Sequence, residues 1–104
     1  MGKNSDIDQI TTILSTALRH KIGAILGMDK KYFRKYEIEF SARRDLAKKI
    51  LKECNFNSYD KNKITILLKR KLERELERRD YINQKKFEIM DEEIEKVLKE
   101  LELN

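Results

Sequence analysis

Residues 81–89 read Tyr81-Ile82-Asn83-Gln84-Lys85-Lys86-Phe87-Glu88-Ile89. Two short apolar segments flank a polar tetrad, the composition of two strands joined by a turn. A helix running on through this stretch would instead place Arg79 and Asn83 on the apolar row that precedes them. The hairpin is therefore the favoured reading, although no glycine or proline follows Gly27 to tighten its turn. A hairpin here makes a mainly α protein with a small β element; a helix makes an all-α helical bundle.

Working outward, Ser41 to Cys54 places Ala42, Leu46, Ala47, Ile50, Leu51 and Cys54 on one helical face, with Arg44, Lys48 and Lys52 on the other. Ser41 is a suitable N-cap. Before it, Tyr36-Glu37-Ile38-Glu39-Phe40 alternates with a period of two, as a strand would. A competing reading runs one helix from Lys30 to Cys54, with Phe33, Tyr36, Phe40, Ala47, Ile50 and Cys54 in phase. Arg43 interrupts that phase, so the break at Ser41 is preferred. Asn55 to Asp60 is a turn, and a longer basic helix (61–79) follows, burying Ile64, Leu67, Leu68, Leu72 and Leu76. Beyond residue 89, Asp91 caps a last helix (92–103) with Ile94, Val97, Leu98 and Leu101 inward.

That order of elements resembles the winged helix-turn-helix superfamily over residues 37–103. The residues that carry the likeness are "ARRDLAKKILKE" as scaffold helix and "KNKITILLKRKLERELERRDYI" as recognition helix running into a strand. "NQKK" is the wing tip, "FEI" the returning strand and "DEEIEKVLKEL" the closing helix, with "YEIEF" as a short first strand. The chain departs from the pattern in its long Asn55–Asp60 turn, its long recognition helix, and Asp80 where glycine is common. The resemblance implies duplex DNA as partner, read in the major groove by the helix at 61–79. With Ile64, Leu68 and Leu72 buried, Asn62, Lys63, Thr65, Ile66, Lys69 and Arg70 face outward. Base contacts would come from Asn62, Lys63, Thr65, Lys69 and Arg70, and phosphate contacts from Arg44, Lys48, Lys85 and Lys86.

The N-terminal helix (6–26) starts at Ser5 with Asp8 three residues on. Its apolar residues run from Ile7 to Leu26 and cover roughly 200° of its circumference, wider than one core stripe. Either the helix is nearly engulfed by its own chain or it packs on a partner. A homodimer through this helix, through the last helix, or through both, is the expectation.

Composition sets the frame. At 104 residues the chain is expected to form a single domain, with 39% hydrophobic residues for one core and 41% charged residues for its surface. The net charge of +5 is unevenly spread. Residues 1–72 hold 17 Lys and Arg against 8 Asp and Glu, while residues 73–104 hold 7 against 11. A basic body with an acidic tail suits a polyanion on one side and a protein on the other. The single cysteine, Cys54, allows no internal disulfide and points to a reducing cytoplasm. No signal peptide and no membrane span are expected.

Catalytic chemistry finds little support. One His and one Cys far apart in sequence do not make a zinc site, and no glycine-rich phosphate loop is present. Cys54 reads as a small buried thiol and His20 as a boundary residue, so neither enzyme activity nor a metal or cofactor is expected. Tyr32, Phe33, Tyr36 and Phe40 alternate with Lys30, Lys31, Arg34, Lys35, Arg43 and Arg44, which could stack single-stranded bases but reads better as a core edge. The leading expectation is a small DNA-binding transcription regulator. The alternative is an all-helical interaction subunit or adaptor of a larger complex, which requires helix rather than strand through 81–89.

Overall fold

The computed structural model of the protein describes residues 3–27, 30–78 and 85–103. These form four helices: α1 (Lys3–Gly27), α2 (Lys30–Glu53), α3 (Ser58–Glu77) and α4 (Lys86–Glu100). No strand occurs among the described residues. The winged architecture is thereby corrected to an all-α bundle. Tyr81-Ile82 and Asn83-Gln84, the first half of the expected hairpin, lie outside the described residues, as do Arg79, Asp80 and Asp29. The side chains of Lys30, Lys31, Tyr32 and Phe33 lie outside them as well.

The second half of that hairpin is helix. Phe87-Glu88-Ile89 forms the start of α4, and the Ile89 N–H donates to Lys85 O at 3.1 Å. The physical reason is periodicity. Met90, Ile94, Val97, Leu98 and Leu101 are all buried at helical spacing, and the same phase carries backward through Asp91 without a stop. Asp91 is an exposed interior residue of α4, not its cap.

Tyr36–Phe40 is also helical, within an unbroken α2 that passes through Ser41. Both periods place Tyr36 and Phe40 on one side, since they are four residues apart. Ile38 distinguishes them: a strand would turn it inward with Phe40, and it is instead 63% exposed. Leu46, expected on the core face, is 49% exposed because Ala47 occupies that face.

α3 begins with a capping box that starts earlier than Asp60. Asn57 Oδ1 accepts from the Asp60 backbone N–H at 2.9 Å, and Asp60 Oδ2 accepts from the Asn57 N–H at 3.1 Å. Lys3 Nζ adds a third bond to Asp60 at 3.0 Å. Ile64, Leu68, Leu72 and Leu76 then form the fully buried row that their spacing predicted, with Leu67 half-buried beside them.

The helices run up, down, up, down. α2 returns antiparallel to α1, bringing Cys54 to Asp6 and Glu39 to His20. α3 runs with α1, so Lys3 meets Asp60 and Asp8 meets Lys71. α4 comes back with Asp91 by Lys69 and Leu103 near Lys61. α1 packs against all three other helices, and α3 also packs on α4. This accounts for most of the wide apolar arc of α1, which faces three neighbours. Among its described residues Lys3, Asn4, Ser5, Asp8, Gln9 and Thr12 are exposed, while Ile13, Ala24, Ile25 and Leu26 are half-buried. Most of the arc on which the homodimer expectation rested is used within the chain, which leaves that expectation without support.

Apolar burial holds this arrangement. Ile10, Leu14, Leu18 and Ile22 are fully buried, each worth roughly 1.5–3 kcal/mol. Exposed ion pairs contribute about 0–1 kcal/mol each. One polar device fixes α3 on α1: Lys71 Nζ lies 2.7–3.0 Å from four acceptors, Asp8 O and Oδ1, Thr11 Oγ1 and Thr12 Oγ1, which share its three N–H donors.

Candidate interaction surface

Part of the charge split is met inside the fold. Three acids of α4 pair with cations from the other three helices: Glu93 with Lys21 at 2.7 Å, Glu100 with Arg44 at 3.1 Å, and Asp91 with Lys69 at 3.8 Å. These three acids of the C-terminal segment are thus partnered by the basic body within the fold.

One expected phosphate contact, Arg44, is engaged in this way. Arg44 is held by Glu100 and Asp45 and lies over the Phe40 ring, 6.0 Å from its centre. Lys86 is buried, with Nζ 5.2 Å from the centre of the Phe87 ring. Lys48 and Lys85 are exposed. The structure therefore does not bring the four into one phosphate-binding surface.

The outer face of α3 is more coherent. Asn62, Lys69 and Arg70 are exposed, and Ile66 is 49% exposed between them. Lys63 is half-buried and donates to Asn4 Oδ1 at 2.7 Å. Thr65 turns its hydroxyl back to Lys61 O at 3.1 Å, so its donor hydrogen is used within its own helix. Tyr59, which the sequence reading left out, is 74% exposed at the start of this face. Its omission follows from reading Asn55 to Asp60 as a turn; the signal was Asn57 followed by Asp60, the spacing of the capping box.

Tyr59, Asn62, Lys63, Ile66, Leu67 and Arg70 line one shallow groove of about 210 Å³. Their spacing follows one side of a helix over about three turns, opposite the buried Ile64–Leu76 row. Leu67 joins the groove to the core, against which it packs. No acid occurs from Lys61 to Lys71, and the charged residues that line the groove, Lys63 and Arg70, are both cations.

His20 and Cys54 do not form a reactive pair. Cys54 donates its thiol to Asp6 Oδ2 at 3.4 Å, fourteen residues of α1 away from His20, or roughly 21 Å along the axis. Burial first, then Asp6 and Glu53, pushes the Cys54 thiol up, which disfavours the nucleophilic thiolate. Cys54 is half-buried, less enclosed than its apolar phase suggested. His20 lies on the α1–α2 seam, edge-on to Tyr36 with ring centres 6.1 Å apart. Among the described residues no helix is long and apolar enough to cross a membrane.

No family model, curated protein or solved structure matches this chain. Its class is therefore that of its architecture, an all-α four-helix bundle.

Proposed function

We propose that the chain is a small helical protein-interaction module that docks a partner on the outer face of α3. What carries this reading is the exposure of Tyr59 and Ile66 on one side of a helix whose other side is fully buried. Large exposed apolar side chains grouped on one face are costly in water, and an aromatic beside an aliphatic is the usual anchor of a binding surface. The all-helical fold and the internal use of the acidic segment support the same reading. Its test is chemical-shift mapping on the labelled chain with candidate partners. Shifts concentrated at Tyr59, Asn62, Ile66 and Arg70 are expected, and shifts centred elsewhere would exclude α3 as the docking face.

A second reading keeps duplex DNA as partner, favoured by the acid-free stretch that exposes Asn62, Lys69 and Arg70 together. It predicts salt-sensitive binding to random duplex in fluorescence anisotropy. No binding at low salt removes it.

A further inference from the structure

We infer that the groove on α3 takes an acidic amphipathic helix of another protein. The inference rests on the interaction reading above and specifies the chemistry of the partner. The groove runs along α3 for about three turns, a length that accepts apolar anchors at i, i+3 or i+4, and i+7 of a docked helix. Tyr59, Ile66 and Leu67 offer the apolar contact, while Lys63 and Arg70 border it with no acid among the lining residues. Lys63 is steadied by its bond to Asn4, so part of its ordering cost is already met. A carboxylate-flanked apolar stripe complements this groove; a cation-flanked one would meet like charge.

Among the described residues, the chain's own surfaces do not supply that complement in a charge-pure form. The exposed acids of α4, Glu88, Asp91, Glu92 and Glu95, have no exposed large apolar residue among them. The exposed apolar pair on α2, Ile38 and Leu46, shares its face with Arg34, Lys35 and Lys49 and also with the exposed acids Asp45 and Glu53. On the described surfaces a second copy thus offers acid without apolar anchors on α4 and apolar anchors among mixed charges on α2, neither of them an apolar stripe flanked by carboxylates alone.

The test pans a displayed library of helix-forming peptides against the intact chain, with the Tyr59→Ala/Ile66→Asp double variant as counter-target. Both changes are at exposed positions, and circular dichroism should show equal helix content. The expected result is enrichment of peptides with apolar residues at helical spacing flanked by Asp or Glu. Their binding should weaken about 30-fold or more in the double variant and about tenfold with Arg70→Glu. Enriched peptides that are neutral or basic, or that ignore Arg70→Glu, overturn the acidic partner and leave the interaction reading standing. Peptides that bind wild type and double variant alike, or no enrichment at all, remove the interaction reading as well. A concentration-dependent dimer lost in the double variant, or duplex DNA that displaces the peptides, would install a different occupant and overturn the proposal.

Discussion

Lys21 Nζ lies 2.7 Å from Glu93 Oε2, and Glu93 is only 5% exposed. Nζ also sits 4.6 Å from the centre of the Phe40 ring. The pair joins α1 to α4, and Phe40 brings in α2, so one cation touches three helices. Glu93 Oε2 has ion-pair proximity but no well-directed hydrogen bond, and Lys96 reaches only the other oxygen, at 3.4 Å.

Removing Lys21 should therefore cost more than a surface ion pair. Lys21→Met leaves Glu93 buried with Lys96 alone. We expect a loss of about 2 kcal/mol, below the 3–5 kcal/mol of fully enclosed pairs because Lys21 is partly exposed. Adding Glu93→Leu should recover most of that loss, since no charge then remains buried. Denaturant midpoints of the two singles and the double form the cycle. Additive effects would mean that the pair is not coupled.

The sole histidine gives a clean pH readout. Arg19 Nη2 donates to His20 Nε2 at 2.8 Å, so the ring proton belongs on Nδ1, which is 3.6 Å from Glu39 Oε2 and lacks a close acceptor. Burial first, then Arg19 and Arg43, lowers the His20 pKa, with Glu39 offsetting part of the effect. The unfolded ring protonates near 6.5, before the folded one. The stability from neutral His20 is thus complete above about pH 6.5 and is lost as pH falls through the lower folded value. A proton titration of the ring should give a midpoint below 6.5, and His20→Gln should flatten stability across that window. A midpoint at or above 6.5 would contradict the assignment.

How much of this was legible in the sequence depended on whether one period stood alone. Ile64, Leu68, Leu72 and Leu76 form a row with a single helical reading, and so do Ile94 to Leu101; both were placed correctly. Tyr36 to Phe40 satisfies periods of two and 3.6 at its ends, and only the exposure of Ile38 separates them. Phe87-Glu88-Ile89 is too short for either period to decide. The outward face of α3 was readable as the complement of its buried row, which gave Asn62, Lys63, Ile66 and Arg70. Engagement was not readable. Nothing in sequence spacing tells that Glu100 would meet Arg44, 56 positions away, or that Lys86 would be buried.

At the start of α3, Asn57 and Asp60 act as one unit. The backbone N–H of Asn57 first, and Lys3 next, hold the Asp60 carboxyl below its usual range. Its contribution is complete above about pH 3.9, the unfolded value, and is lost as pH falls through the lower folded value. Asn57→Ala should cost about 1 kcal/mol, as N-cap truncations do. Asp60→Asn should flatten the acid limb of the stability curve while leaving the alkaline side unchanged in slope. An acid limb that is identical in wild type and Asp60→Asn would rule out this linkage.

The C-terminus of α4 carries a stabilisation that the chain does not use. Leu103 N–H donates to Leu98 O at 2.8 Å and Glu102 N–H to Lys99 O at 3.1 Å, the bond pair of a Schellman motif. Leu103 and Leu98 are both buried, as the hydrophobic contact of that motif requires. Glu102 occupies the left-handed position, with φ of 57°, where glycine carries no Cβ penalty. Glu102 is exposed and its side chain is not needed for packing. Glu102→Gly should therefore stabilise the fold by about 1 kcal/mol, less the added entropy of the unfolded chain. Leu103→Ala should destabilise it by about 2 kcal/mol. Thermal unfolding of both variants decides the point: a lower melting temperature for Glu102→Gly would show that the left-handed turn is not formed in solution.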